Sequence, residues 1–173
     1  MEVVVNNAMQ VGYRYLRTRP MADLSDLEEK YQFFPELTPK EMLELGVFGG
    51  KYFNDVVETD EYPKEWWVNA KLVGVGMPAD PSLNFFGVDA SISLREWEEK
   101  GWVSDQDPRG WFEWYARTFA GRRSEDDERQ IRRHRQFRRH ITQLVKYCPK
   151  GDFTCRPRQR QALLHWAYDS RRY

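Results

Sequence analysis

Two consecutive segments between Asp107 and Cys148 constrain this chain more than any other part of it. The first, PRGWFEWYARTFAG, loads Trp111, Phe112, Trp114, Tyr115 and Phe119 onto one short helix. The second, SEDDERQIRRHRQFRRHITQLVKYC, carries six arginines between Arg129 and Arg139. At about 100° per residue, Ile131, Phe137, Ile141, Leu144, Val145 and Cys148 gather on one side of a helix. Arg132, Arg135, Arg139 and Lys146 gather on nearly the opposite side. The pattern predicts one long amphipathic, arginine-rich helix whose wet face is a cationic stripe. Arg133 and Arg138 lie at the borders of the apolar face, where pairing with acids from the first half of the chain is expected.

Around this centre the helix grammar repeats. LTPKEMLELG has Thr38 as N-cap, Pro39 at the first helical position, Glu41 to close a capping box and Gly46 as the stop. SLREWEEKG has Ser93, Glu96 and Gly101 in the same roles. Ser124 is placed to cap the basic segment, with Glu125, Asp126, Asp127 and Glu128 suiting the positive helix end. Val3 to Val5 reads as a short strand, ADLSDLEEK as a short polar helix, and residues 72–88 as a long loop packed by Phe85 and Phe86. RPRQRQALLHWAYD reads as a terminal helix with Leu163, Leu164, Trp166 and Ala167 inward. Residues 1–30 form a weakly patterned N-terminal segment. Residues 31–173 form a helical domain whose basic part is 122–173. The expected fold is mainly α: a single compact helical domain with aromatic-rich irregular loops. Trp111, Trp114, Ile141, Leu144, Leu163 and Trp166 should share one core.

With 173 residues, 15% aromatics and seven tryptophans, the chain can bury a real core and is too aromatic to be disordered. Its formal net charge is zero, yet the charges are segregated. Residues 122–173 hold 15 Lys+Arg against 6 Asp+Glu, whereas the preceding 121 residues hold 12 against 21. Such a split predicts a basic working face, or else two halves that pair across the fold. No apolar run approaches the ~18 residues of a membrane span, and the start lacks a signal-peptide pattern. Two cysteines imply no disulfide framework, so a cytoplasmic protein with no membrane contact is expected.

Candidate chemistry is sparse. The turn Gly46-Val-Phe-Gly49-Gly50-Lys51 fails as a nucleotide-binding loop, because Leu45 and Tyr52 stand where a glycine and a Ser or Thr are needed. Lys51 with the turn's amides remains a candidate contact for one phosphate. His140, Cys148, Cys155 and His165 are off-pattern for zinc, so neither a metal nor a cofactor is implied. Cys148 reads instead as a small buried thiol, and His134 as a core histidine. Asp55, Asp89, Asp105, Asp107, Glu113 and Asp152 sit where a cleft could form, but Glu113 and Arg117 have the spacing of an i,i+4 ion pair. The catalytic residues, if any, are unknown.

The blocks ELTPKEMLELGVFGGKYF, PRGWFEWYARTFAGRR and RPRQRQALLHWAYDS resemble a group of short uncharacterised hypothetical proteins of bacteria and fungi, over roughly Phe33 to Arg172. The resemblance implies a discrete single-domain family and carries no activity, cofactor or functional residue.

The strongest functional signal is the arginine set: Arg122, Arg123, Arg132, Arg135, Arg139, Lys146, Arg156, Arg158 and Arg160. Guanidinium forks suit phosphate oxygens, and nearby indoles can stack exposed bases. Solvated pairs of Glu125 with Arg129 and Glu128 with Arg132 would explain only the first turn. The leading expectation is a nucleic-acid-binding or nucleic-acid-processing module. The alternatives are a small enzyme for an anionic, phosphate-bearing substrate, and a non-catalytic domain that meets an acidic protein partner.

Overall fold

Val3, Val5 and Tyr15 are buried between exposed neighbours, and this period of two builds an antiparallel hairpin from β1 (Glu2–Asn6) and β2 (Val11–Leu16). Asn7 makes the turn, its Oδ1 accepting from the amides of Met9 and Gln10. The computed structural model describes residues 1–91 and 94–173. After the hairpin come α1 (Ser25–Tyr31), α2 (Pro39–Glu44), α3 (Leu94–Glu99), α4 (Trp111–Phe119), α5 (Asp127–Phe137), α6 (Arg139–Tyr147) and α7 (Pro157–His165). Short 3-10 turns interrupt the connections at Val47–Gly50, Lys64–Trp66, Pro81–Leu83 and Ser170–Arg172.

The mainly α expectation is overturned. The chain is 41% helical and 8% strand, and about half of it is loop. Most of the helices are too short to be stable alone, and aromatic packing holds the long connections in place. The capping box of α2 forms as expected, with Thr38 Oγ1 accepting from the Glu41 amide and Glu41 Oε2 from the Thr38 amide. The expected Ser93 cap lies outside the described residues.

α4 is the central helix, with every residue from Trp111 to Thr118 buried. Its indoles and phenol bring polar tips inside, and each finds a partner. Trp111 Nε1 donates to the Gln130 carbonyl, Trp114 Nε1 to Asp127 Oδ1 and Tyr115 Oη to the Leu37 carbonyl. At its end Gly121 adopts φ +112°, and a side chain there would collide with the Arg19 carbonyl. That close approach lets the amides of Thr18 and Arg19 donate to the Gly121 carbonyl, which docks the hairpin's exit strand.

The residues expected in a single core divide between two of the three apolar clusters among the described residues, the third being Val3, Val5 and Tyr15 of the hairpin. Trp111 and Trp114 belong to a large cluster with Phe33, Met42, Phe53 and Leu164, whereas Ile141, Leu144 and Leu163 form a second with Tyr168. Trp166, half-buried, packs against both, on Trp111 at 5.0 Å and Phe137 at 5.1 Å.

The expected long basic helix is also two. At Arg138 the ladder tightens: its amide bonds to the Arg135 carbonyl and the Ile141 amide to the Arg138 carbonyl, each three residues back. This overwinding swings α6 out of phase with α5. Cys148 and Cys155 are joined in a disulfide across the turn after α6, a correction to the buried-thiol reading. Among the described residues, no helix is long and apolar enough to cross a membrane.

Candidate nucleic-acid interface

The predicted basic residues divide into three sets. Arg122 and Arg160 are inside the protein, 1% and 0% exposed, and are corrected out of any accessible face. Arg122 pairs with Asp107 at 2.6 Å, and Arg160 donates to the carbonyls of Cys155, Ser170 and Tyr173. Arg123 is half-buried and held by Asp26 at 2.8 Å. The third set, Arg132, Arg135, Arg139, Lys146, Arg156 and Arg158, is exposed.

Those exposed residues do not form one stripe. Arg132, Arg135 and Arg138 line a groove of about 450 Å³ on one flank of α5, together with Phe34 and Tyr168. Arg139, carried round by the tightened turn, lines a different cavity on the other flank, about 630 Å³, with Arg129, Arg133 and His140. Gln136 borders both. Among the described residues no Asp or Glu lines either space. Lys146 lies instead over the Tyr147 ring, as does the Arg156 guanidinium from its other side in sequence.

Neither expected local ion pair, Glu125 with Arg129 or Glu128 with Arg132, is made among the described residues. Arg129 takes Asp126, three residues back, at 2.6 Å. Arg132 has no ion-pair partner among the described residues, and neither Arg133 nor Arg138 meets the carboxylate expected for it. Arg133 donates to the Trp102 carbonyl and to Gln130 Oε1. Burial, with Arg129 alongside, lowers its pKa to about 10, which leaves it charged at neutral pH.

The second cavity is aromatic. Trp102, Trp111, Phe137 and Trp166 wall it, and His165 closes one side. Nδ1 of His165 accepts from the Phe48 amide at 3.3 Å, which assigns the proton to Nε2, and Nε2 has no hydrogen-bond partner among the described residues. Burial drops His165 to about 3, so the ring is neutral. His134 is a core histidine, stacked between Trp111 and Tyr168 at 5.2 and 4.2 Å and likewise lowered to about 3 by burial.

Lys51 is exposed at the edge of a third cavity, but its turn is not a phosphate cradle. The Phe48 amide goes to His165, the Gly49 amide to Asn84 Oδ1 and the Lys51 amide to the Phe48 carbonyl. A side chain at Gly49 or Gly50 would strike the backbone of Asp80 or Lys71, so close chain passage accounts for both glycines. Among the described residues, no three His, Cys, Asp or Glu side chains group as a metal site.

Half of the carboxylates singled out from sequence, Asp55, Asp107 and Glu113, serve a buried network. Asp55 grips Arg109 with both oxygens, at 2.7 and 2.9 Å. Burial alone would raise Asp55, yet the Arg109 fork holds it below its ordinary value. Glu113 meets Arg117 at 3.2 Å, the i,i+4 pair its spacing predicts. Arg117 also takes Glu61 at 2.6 Å and Asp107 at 3.1 Å. Three guanidiniums (Arg109, Arg117, Arg122) thus face four carboxylates (Asp55, Glu61, Asp107, Glu113). Burial pushes Glu113 up to about 7, with Arg117 opposing and Asp107 adding to the rise. Asp89 and Asp152 order tight turns through Ser91 and Thr154, and Asp105 is exposed.

No family model, curated protein or solved structure matches the chain.

What sequence reasoning missed is Arg133. Its place at the border of the apolar face was visible, but its neighbours Trp102 and Trp166 lie more than thirty residues away on either side, beyond any local signal.

Proposed function

We propose that this protein binds nucleic acid through the cationic flanks of α5 and the start of α6. The observation that carries the reading is the groove of Arg132, Arg135 and Arg138: three side chains side by side, none with a carboxylate partner among the described residues. An ordinary surface helix intersperses charges of both signs, and the first turn of α5 does so. Beyond it the acids stop, and the uncompensated guanidiniums match the spaced oxyanions of a phosphate backbone. Arg139 extends the field past the groove.

Salt dependence tests it. Three phosphate contacts give a log–log slope of roughly −2.7 on duplex and about −2.1 on a single strand. Arg132→Gln with Arg135→Gln should flatten the slope by nearly two units on duplex and weaken binding alike for all sequences. The double variant should keep its stability to within about 0.5 kcal/mol per site, because both side chains are exposed. Absence of binding to DNA or RNA at low salt overturns the reading.

A further inference from the structure

Arg133 differs from the groove arginines in how it is held. Both of its hydrogen bonds leave from one terminal nitrogen, to the Trp102 carbonyl at 3.0 Å and to Gln130 Oε1 at 2.9 Å. Its Nε and second terminal nitrogen have no hydrogen-bond partner among the described residues, and the side chain lines the cleft. The guanidinium lies against the rings of Trp166 and Trp102, 5.4 and 6.0 Å from their centroids. A planar cation fixed between indoles with one edge free is arranged to take an oxyanion side-on through that edge. The indoles themselves offer stacking surface for a flat ring.

The cavity around it, about 630 Å³, falls within the range of small-molecule sites. Its wall carries Lys100, Arg129, Arg133 and Arg139 and, among the described residues, no acid. Gln136 separates it from the phosphate groove by the width of one helix. We propose that this cleft seats one unpaired nucleobase with its phosphate on the open edge of Arg133, so that the nucleic acid running across α5 is single-stranded. The proposal rests on the reading of the groove given above. A base stacked in a duplex cannot enter such a cleft, whereas a splayed base from a single strand can. The exposed Lys100 ammonium, 4.8 Å from the Trp102 ring centroid, is the group an entering base displaces.

The test uses the whole protein and three labelled ligands of 20 units: a single-stranded DNA, its duplex, and an abasic strand of the same length. Anisotropy titrations at one salt concentration should show the base-bearing strand binding roughly tenfold tighter than the abasic one, the size of one or two stacked bases. Intrinsic tryptophan emission should be quenched by the base-bearing strand only. Trp102→Ala should erase the difference between base-bearing and abasic strands. Trp102 is 40% exposed and the Arg133 bond uses its backbone, so the variant is expected to fold. Should its melting temperature fall sharply, the comparison of the two strands on the unaltered protein still decides. Equal affinity for abasic and base-bearing strands, or for duplex and single strand, overturns the cleft proposal and leaves the groove reading standing. No binding of any of the three at low salt overturns both.

Discussion

Asp107 Oδ2 lies 2.6 Å from a terminal nitrogen of Arg122, and neither side chain reaches solvent. The other oxygen of the same carboxylate holds Arg117 at 3.1 Å. Removing this charge leaves the buried Arg122 with no carboxylate partner among the described residues, while Arg117 keeps Glu61 and Glu113. Breaking a buried pair from one side costs about 3–5 kcal/mol. Asp107→Asn should therefore lose at least about 3 kcal/mol in urea unfolding, a large part of a domain's total. A loss below about 1 kcal/mol would show that water enters the network and screens it.

Glu113 supplies a pH dependence of defined sign. Its folded pKa, about 7, is above the ordinary carboxylate value of 4.5, so the native state binds the extra proton. The stability this contributes is fully present below pH 4.5 and is lost as pH rises through 7. Glu113→Gln cannot titrate. The stability of the wild type relative to this variant should fall between pH 5 and pH 8, measured from urea midpoints. A constant difference across that window would show that Glu113 is ionised throughout.

His134 and His165 act in the opposite direction. Both are depressed to about 3 by burial, against 6.5 when unfolded. The stability they contribute is present above pH 6.5 and drains away as pH falls toward 3. Their imidazole NMR signals should stay in the neutral form at pH 5, with His165 as the Nε2–H tautomer. Titration of either ring near 6 in the folded protein would contradict the packing described.

The Cys148–Cys155 bond closes a short loop between α6 and α7. Loop-closure entropy assigns such a crosslink about 2 kcal/mol. Cys148→Ser with Cys155→Ser should lower stability by that order, and a reducing agent should do the same to the wild type and nothing to the variant. Equal stability of oxidised wild type and variant would mean the turn is ordered without it.

The legible parts of the sequence were those whose cause lies within a few residues. Thr38 and Glu41 make their capping box because both partners belong to one turn. Glu113 and Arg117 pair because one helical turn separates them. The hairpin was half visible as Val3 to Val5, but its partner strand, broken by Gly12 and charged at Arg14, lacks an apolar run. Composition cannot say whether a guanidinium meets water or a distant carbonyl, so Arg122 and Arg160 read like Arg132 although they are buried. The split of the basic helix at Arg138 left no proline or glycine to announce it. Consequently the phase of Arg139, and the presence of two cationic flanks in place of one stripe, emerged only from the fold.

Arg117 gathers its partners from far-apart stretches: Gln10 in the hairpin turn, Glu61 in the first long connection, and Gln106 and Asp107 ahead of α4. Tyr13 and Tyr15 of β2 lie over its guanidinium, at 5.2 and 5.7 Å. The hairpin is thus a lid on the charge network, although it contributes little to the apolar core. If it lifts, water reaches α4 from its charged side. Amide protons along α4 and those of the hairpin should then exchange with deuterium as one cooperative unit, even though more than ninety residues separate them in the chain.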